Sequence, residues 1–325
     1  MGAVTPLGVG VDAFWKGIVS GRCGITDIAG MEEENIPVKR AGQVTDFNPR
    51  DYLSVKLVQD LEPYMQYAYV AAEEAAAQSG LTFEEADSRT GIVMGSALCG
   101  INIIGETEAK YKIQGRSAGP KFLTKAMGNI CAAHFSINHK ITGPSVTVST
   151  ACSSAGDAVT LAAMMIRAGM ADCMVVMAGE AAICPTLIQS LTKTGALSKT
   201  GQSRPFDTER NGFALGEGGG ALILESEEHM KARGAGPLAE LAGCANNTDA
   251  YNPVSPDPEG DGAAACMRLA LEDAGMEPEE IGYINAHGTA TMIGDIAEAG
   301  AIKQVFGDIS VPVSSTKGAT GHMMG

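Results

Sequence analysis

The chain is 325 residues long, 45% hydrophobic, and carries a formal net charge of −15. This length suits two domains or one large domain of two halves, at roughly 150 residues per domain. No stretch reaches the ~18 uninterrupted apolar residues of a membrane span. The acidity argues against nucleic acid as a partner, since backbone binding relies on clustered Lys and Arg. Eight cysteines without a C-x-x-C pair argue against a disulfide framework and a structural zinc site. The start, "MGAVTPLGVGVDAFWKG", lacks a basic segment ahead of an apolar one, so it is not read as a signal peptide. Reduced thiols in a cytoplasm are the expectation.

In chain order, helical spacing first runs through "YMQYAYVAAEEAAAQSG" (64–80), and "TGIVMGS" (90–96) follows as a buried strand. Residues 121–138 have helical spacing again. Cys131, His134 and His139 lie on this helix or at its end without an i, i+4 ligand pair and are read as core packing. The strand "SVTVST" (145–150) runs into "ACSSAGD", after which Ala155, Ala158, Val159, Ala162, Ala163 and Ile166 mark one buried helix face, with Gly169 at its end. Further β-rich runs are "CMVVMAGE", "GALILES", "IGYINAHG" and "ISVPVSS". Strands alternating with helices indicate α/β architecture with mostly parallel, doubly covered sheets. "QSGLTFEE" and "DAGMEPEE" both close a helix and lead to a Gly-led strand; Gly80 and Gly275 lie 195 positions apart, an echo that suggests duplication. "GEGGGA" (216–221) lacks the third glycine of a dinucleotide loop and runs into a strand, so nucleotide binding is not expected. The Met-rich pieces "AAMMIRAGM" and "HMMG" are read as core and site wall.

The corner after "SVTVST" carries the chemistry. Cys152 falls where a strand ends and a helix begins, and the unpaired N–H groups and positive dipole end of a helix lower a thiol's pKa from ~8.5 and make it a nucleophile. Small neighbours Ala151, Ser153 and Ser154 permit a tight turn, as in a nucleophile elbow. A buried structural cysteine is the competing reading of position alone. "NAHGTAT" places His287 directly after an apolar strand, and "SSTKGATGHMMG" places Lys317 and His322 after another. Catalytic groups on open α/β sheets gather beyond strand carboxyl ends, so the three corners can share one crevice.

"GPSVTVSTACSSAGDA", "NAHGTAT" and "SSTKGATGH", in this order, closely resemble motifs of the β-ketoacyl-acyl-carrier-protein synthases, the condensing enzymes of fatty acid synthesis, and most closely the elongating type with a Cys-His-His triad. "VTPLG" and "RPFDTERNGFALGEGGGALILE" extend the resemblance over nearly the whole chain. It implies a thiolase-like fold of two similar halves in a five-layer α-β-α-β-α arrangement, with residues 1–230 as the half bearing the nucleophile and 231–325 as the start of the second. It implies that Cys152 accepts an acyl chain, that His287 and His322 bind the malonyl thioester carbonyl, and that Lys317 orders the site. Thr289, Thr291 and Ser255 match contacts to the phosphopantetheine arm, while Asp295 and Glu298 match a nearby carboxylate pair. The implied partners are acyl carrier protein and a second copy in a homodimer; no cofactor or metal is implied beyond the carrier's phosphopantetheine.

Family members begin earlier and continue for several tens of residues past the last histidine, so the resemblance implies a fragment lacking a first strand and a tail. That tail would carry a "GFGG"-type turn and the Glu that pairs with Lys317. For carrier docking, Lys56 stands beside Gln59 and Asp60, leaving Lys121, Lys125 or Arg204 as further candidates. A polyketide-type ketosynthase is the alternative function, as is its non-catalytic partner subunit, although such subunits lack the cysteine. A degradative thiolase would need a second cysteine near its end, and a cysteine hydrolase would leave His322 and Lys317 unexplained. The acyl pocket is expected around "GSALCGI" and "TLIQSL".

Overall fold

The computed structural model describes residues 1–32, 34–83 and 86–325; the end of the first echo, residues 84 and 85, lies outside them. The first part of the chain runs β1 (Gly2–Thr5), β2 (Gly8–Val9), α1 (Val11–Val19), β3 (Thr26–Asp27), β4 (Arg40–Ala41), α2 (Val55–Asp60), α3 (Pro63–Ser79), β5 (Thr90–Gly95), α4 (Ile101–Gln114), α5 (Phe122–Ala126), α6 (Ile130–His139), β6 (Ser145–Val148), α7 (Ser154–Arg167), β7 (Cys173–Glu180), α8 (Pro185–Thr194) and β8 (Gly218–Glu225). There follow α9 (Glu227–Ala232), α10 (Asp261–Ala274), β9 (Ile284–Asn285), α11 (Gly294–Phe306), β10 (Val313–Ser314) and α12 (Lys317–Thr320).

One six-stranded sheet, in the order β2-β1-β8-β7-β5-β6, carries the main core. Among the described strands, the expected mostly parallel pairing holds for β5 with β6 and β7, and for β9 with β10. Strand β8 runs antiparallel to both β7 and β1, so the sheet is mixed.

Helix α3 starts on Pro63 and ends on Gly80, whose φ of 69° closes it in a left-handed cap. Apolar on nearly every side, it is buried along most of its length, as a helix without a polar face must be. Glycines let it lie directly on the sheet: a Cβ at Gly219 would come 2.5 Å from the Tyr67 backbone, and one at Gly179 2.3 Å from the Tyr64 carbonyl oxygen. Within 216–220, Gly219 thus serves helix packing, while Gly216 and Gly218 allow close approach of Thr320 and Val4. On the other face, Ala158, Ala162 and Met165 of α7 pack with Val93, Met174 and Val176.

Helix α7 also ties the two halves together. Arg167 pairs with Asp273 of α10 at 2.8 Å, and Asn246 donates to Asp157. The sequence echo has a topological counterpart. Gly80 and Gly275 both cap helices in the left-handed region, and each helix leads to a strand that pairs in parallel with the next strand of its own half, β5 with β6 and β9 with β10. This layered α/β arrangement is thiolase-like.

Three expected elements differ. The helix over 121–138 is broken into α5 and α6 at residues 127–129, and the last two strands shrink to two residues each. On α6, Cys131 is buried and His139 bonds Glu73 at 2.9 Å and packs on Phe135, whereas His134 is only half-buried. In "AAMMIRAGM", by contrast, Met164 and Met170 are exposed. Among the described residues no helix is long and apolar enough to cross a membrane.

Candidate active site

Cys152 lies in a single 3-10 turn, Ala151–Ser153, between β6 and α7. Ala151 adopts φ 53°, a left-handed conformation that a residue with a Cβ holds only when its surroundings over-determine it. The determinants are local. The Ser154 hydroxyl donates to the Ala151 carbonyl at 2.7 Å and accepts the Thr150 N–H at 3.0 Å, while the Ser153 hydroxyl donates to the Thr150 carbonyl at 2.9 Å. Asp157, one turn into α7, accepts from Ser153 at 2.9 Å and from the Thr150 hydroxyl.

The expected depression of the thiol pKa is not what the site produces. Cys152 opens to solvent on one side, but enclosure on the other pushes its pKa up; Lys317 and a backbone N–H pull it down, and Glu180 pushes it up again.

His322 is strapped to the end of the central sheet: its N–H donates to Ala214 O and its carbonyl accepts from the Gly216 N–H, both at 2.8 Å. Its ring stands edge-on to Phe213 at 5.0 Å. The Met324 N–H donates to Nδ1 at 3.1 Å, which leaves the ring proton on Nε2, and Nε2 stands 3.1 Å from the Cys152 sulfur. Burial, followed by the positive charge near it, pushes His322 down to about 3, so the ring is a neutral donor.

His287 follows β9, its ring 5.5 Å from that of His322 and at 89° to it. The loop is turned by Glu298 of α11, whose carboxylate accepts the N–H groups of His287 and Gly288, each at 2.7 Å. The His287 ring borders an open cleft yet is surrounded by enough protein that desolvation, reinforced by Lys317, lowers it to about 4. Lys317 opens α12; burial lowers its pKa, and Glu298, Cys152 and Asp295 hold it up. Of these carboxylates, Glu298 holds it up most.

Asp295, 2% exposed, is no surface acid. One oxygen accepts the Ala290 N–H at 2.9 Å and the other the Phe206 N–H at 2.6 Å. Both residues are left-handed, with φ 63° and 61°, so one buried carboxylate holds two unfavourable backbones and joins the 204–212 loop to the His287 loop.

The reactive atoms of Cys152, His287 and His322 lie within 4.8 Å of one another, a spacing short enough for a metal. The donor set does not fit one, because Nε2 of His322 carries its proton toward the sulfur and offers no lone pair. Thr289 is buried and its hydroxyl lies 3.0 Å from that of Thr291, on the loop after His287. Ser255 is not brought to this cluster by any hydrogen bond among the described residues; it sits in an exposed turn, its N–H bonded to Asn252. Cys152, His322 and Lys317 line a cleft of about 490 Å³ between α7, β7 and β8. A polar depression of about 370 Å³ on the 200–211 loop holds none of these groups.

The pattern of the beta-ketoacyl synthase N-terminal domain matches residues 1–230 and that of the C-terminal domain residues 238–325. The chain belongs to the beta-ketoacyl synthase family. It is similar to 3-oxoacyl-[acyl-carrier-protein] synthase 2 of Vibrio cholerae, 38% identical over all of this chain and 81% of that protein. The Staphylococcus aureus protein of the same name is 35% identical over all of this chain and 83% of its own length. Among solved structures, a beta-ketoacyl synthase from Burkholderia phymatum superposes with a TM-score of 0.90 at 29% identity, over all of this chain and 81% of the other. A type II PKS acyl-carrier protein in complex with its ketosynthase gives 0.88 at 32%, over 99% of this chain and 80% of the other.

Sequence reasoning missed Glu180, which lines the cleft with Cys152, and the Met324 N–H that sets the His322 tautomer. The first leaves a sequence signal: a lone acid ends the otherwise uncharged strand "CMVVMAGE". The second leaves none, since any residue but proline donates a backbone N–H.

Proposed function

We propose that this synthase extends fatty acyl chains by decarboxylative Claisen condensation, with Cys152 as nucleophile, His287 and His322 as oxyanion donors, and Lys317 as an electrostatic organiser. The Cys152 sulfur attacks the thioester of an acyl group on the phosphopantetheine of acyl carrier protein; the acyl–sulfur bond to the carrier breaks and the carrier leaves as a thiol. Malonyl carrier then binds, with Thr289 and Thr291 beside its pantetheine arm and Ser255 as an outer contact. Loss of CO2 leaves an enolate whose oxygen meets the ring N–H groups of both histidines. Its carbon attacks the Cys152 thioester, the carbon–carbon bond forms, the carbon–sulfur bond breaks, and 3-oxoacyl carrier departs while the thiolate regains a proton.

The observation that carries this reading is the neutral His322, its proton fixed on the nitrogen 3.1 Å from Cys152. A donor at that place suits a forming oxyanion, whereas a hydrolase base needs a lone pair there. Relatives named synthase 2 favour the fatty acid reaction over the polyketide alternative. The nucleophilic cysteine sets this chain apart from a non-catalytic partner subunit.

Carrier docking through Lys121, Lys125 or Arg204 would break existing pairs, because Lys121 is bonded to Asp60, Lys125 to Glu62 and Arg204 to Glu209. The edge strand β6 leaves one side of its ladder open and suits pairing with a second copy in a homodimer. We take residues 1–230 and 231–325 as parts of the two halves, with the triad assembled between them. Incubation with acyl carrier and malonyl carrier is expected to yield 3-oxoacyl carrier by mass; free fatty acid without that product would overturn the proposal.

A further inference from the structure

Glu180 ends β7 and is 1% exposed. Its Oε2 accepts the N–H groups of Ala97 and Leu98, at 2.8 and 3.2 Å, and its Oε1 accepts the Ser96 hydroxyl at 3.4 Å. All three donors are neutral, and among the described residues no cation offsets the charge. A glutamine would satisfy the same atoms, its oxygen taking both amides and its NH2 turned to Ser96, so hydrogen bonding alone does not call for an acid. The charged or ionisable groups that feel it are Tyr64 of α3, Cys99 of the β5–α4 turn, and Cys152, which lines the same cleft.

We propose that Glu180 is a positioning residue that governs the reactivity of Cys152 through its charge: as a carboxylate it disfavours the thiolate across the shared cleft, and once protonated it releases it. The inference rests on Cys152 being the acylated thiol. Lys317 acts on Cys152 in the opposite sense and more strongly, and the charge on Glu180 offsets part of it. Burial pushes Glu180 up to about 7, which puts its change of charge in the neutral range. His287 and His322, at about 4 and about 3, stay neutral there.

The test is the rate of Cys152 alkylation by iodoacetamide, read by peptide mass spectrometry from about pH 6 to 9 beside a Cys152→Ala control. The sulfur–carbon bond forms, iodide leaves, and the thiol proton goes to water. In the parent, the unit-slope rise of log rate with pH is expected to step down by about threefold to tenfold around neutrality. Glu180→Gln is expected to give one straight line, faster than the parent by that factor on the alkaline side. A contribution from Lys317 would survive in Glu180→Gln and is thereby separated. A folded Glu180→Gln protein with the parent's profile would overturn the proposal. So would a straight unit-slope profile in the parent, which needs no variant. Failure of Cys152 to be alkylated at all would remove the underlying reading of the site as well.

Discussion

The corner after β6 and the two loops after β9 and β10 solve the same problem, placing a reactive side chain just past a parallel strand, by different means. At the first corner the bonds that hold Ala151 in its left-handed conformation come from Thr150, Ser153 and Ser154, all within four residues. At the second, position is imposed from a distance: Asp295 reaches Phe206 across 89 positions, and His322 meets the Cys152 sulfur across 170. The nucleophile's turn is therefore held mostly by its own residues, while its donors depend on long-range contacts.

The sharpest break of this comparison is functional. His287→Ala or His322→Ala is expected to cut malonyl decarboxylation by ~10² to 10³ while acylation of Cys152 changes less than about tenfold. Equal losses in both steps, measured separately by CO2 release and intact mass, would make the corners one unit. Next in size, Asp295→Ala leaves two backbone N–H groups and two left-handed residues without their anchor and is expected to cost about 2 to 4 kcal/mol in urea unfolding. Ser154→Ala, which loses only the local bonds of the elbow, is expected to cost about 1 to 2 kcal/mol, with Cys152 alkylation slowed. A loss larger than that of Asp295→Ala would reverse the ranking.

The smallest expected effect is an absence of change. Followed in Cys152→Ala with malonyl-pantetheine, decarboxylation is expected to stay level from about pH 7 to 5, since burial keeps both imidazoles neutral; ordinary imidazoles near ~6.5 would lose about tenfold per unit below that. Stability moves the other way. A histidine whose folded pKa is depressed binds fewer protons than in the unfolded chain, so its contribution is present above ~6.5 and is lost as pH falls toward the folded values of about 4 and about 3.

The same contrast explains what was legible in the sequence. Strand β7 falls on "CMVVMAGE" residue for residue, and α7 spans the periodic face from Ala155 to Ile166, because continuous apolar runs and helical spacing are local signals. Strand direction was not legible, as β8 runs antiparallel to β7 while its apolar run carries no signal of direction. The triad could be named from its motifs. The raised thiol pKa, the His322 tautomer and the two carboxylate clamps could not, since each depends on what surrounds an atom in the assembled molecule.

The most direct test is the intact mass of the purified chain after incubation with a medium-chain acyl-carrier-protein thioester, beside Cys152→Ala. A single acyl adduct on the parent that is absent from Cys152→Ala is the predicted result. An adduct that survives in Cys152→Ala, or none on a folded parent, would contradict the assignment of the elbow as the nucleophile's seat.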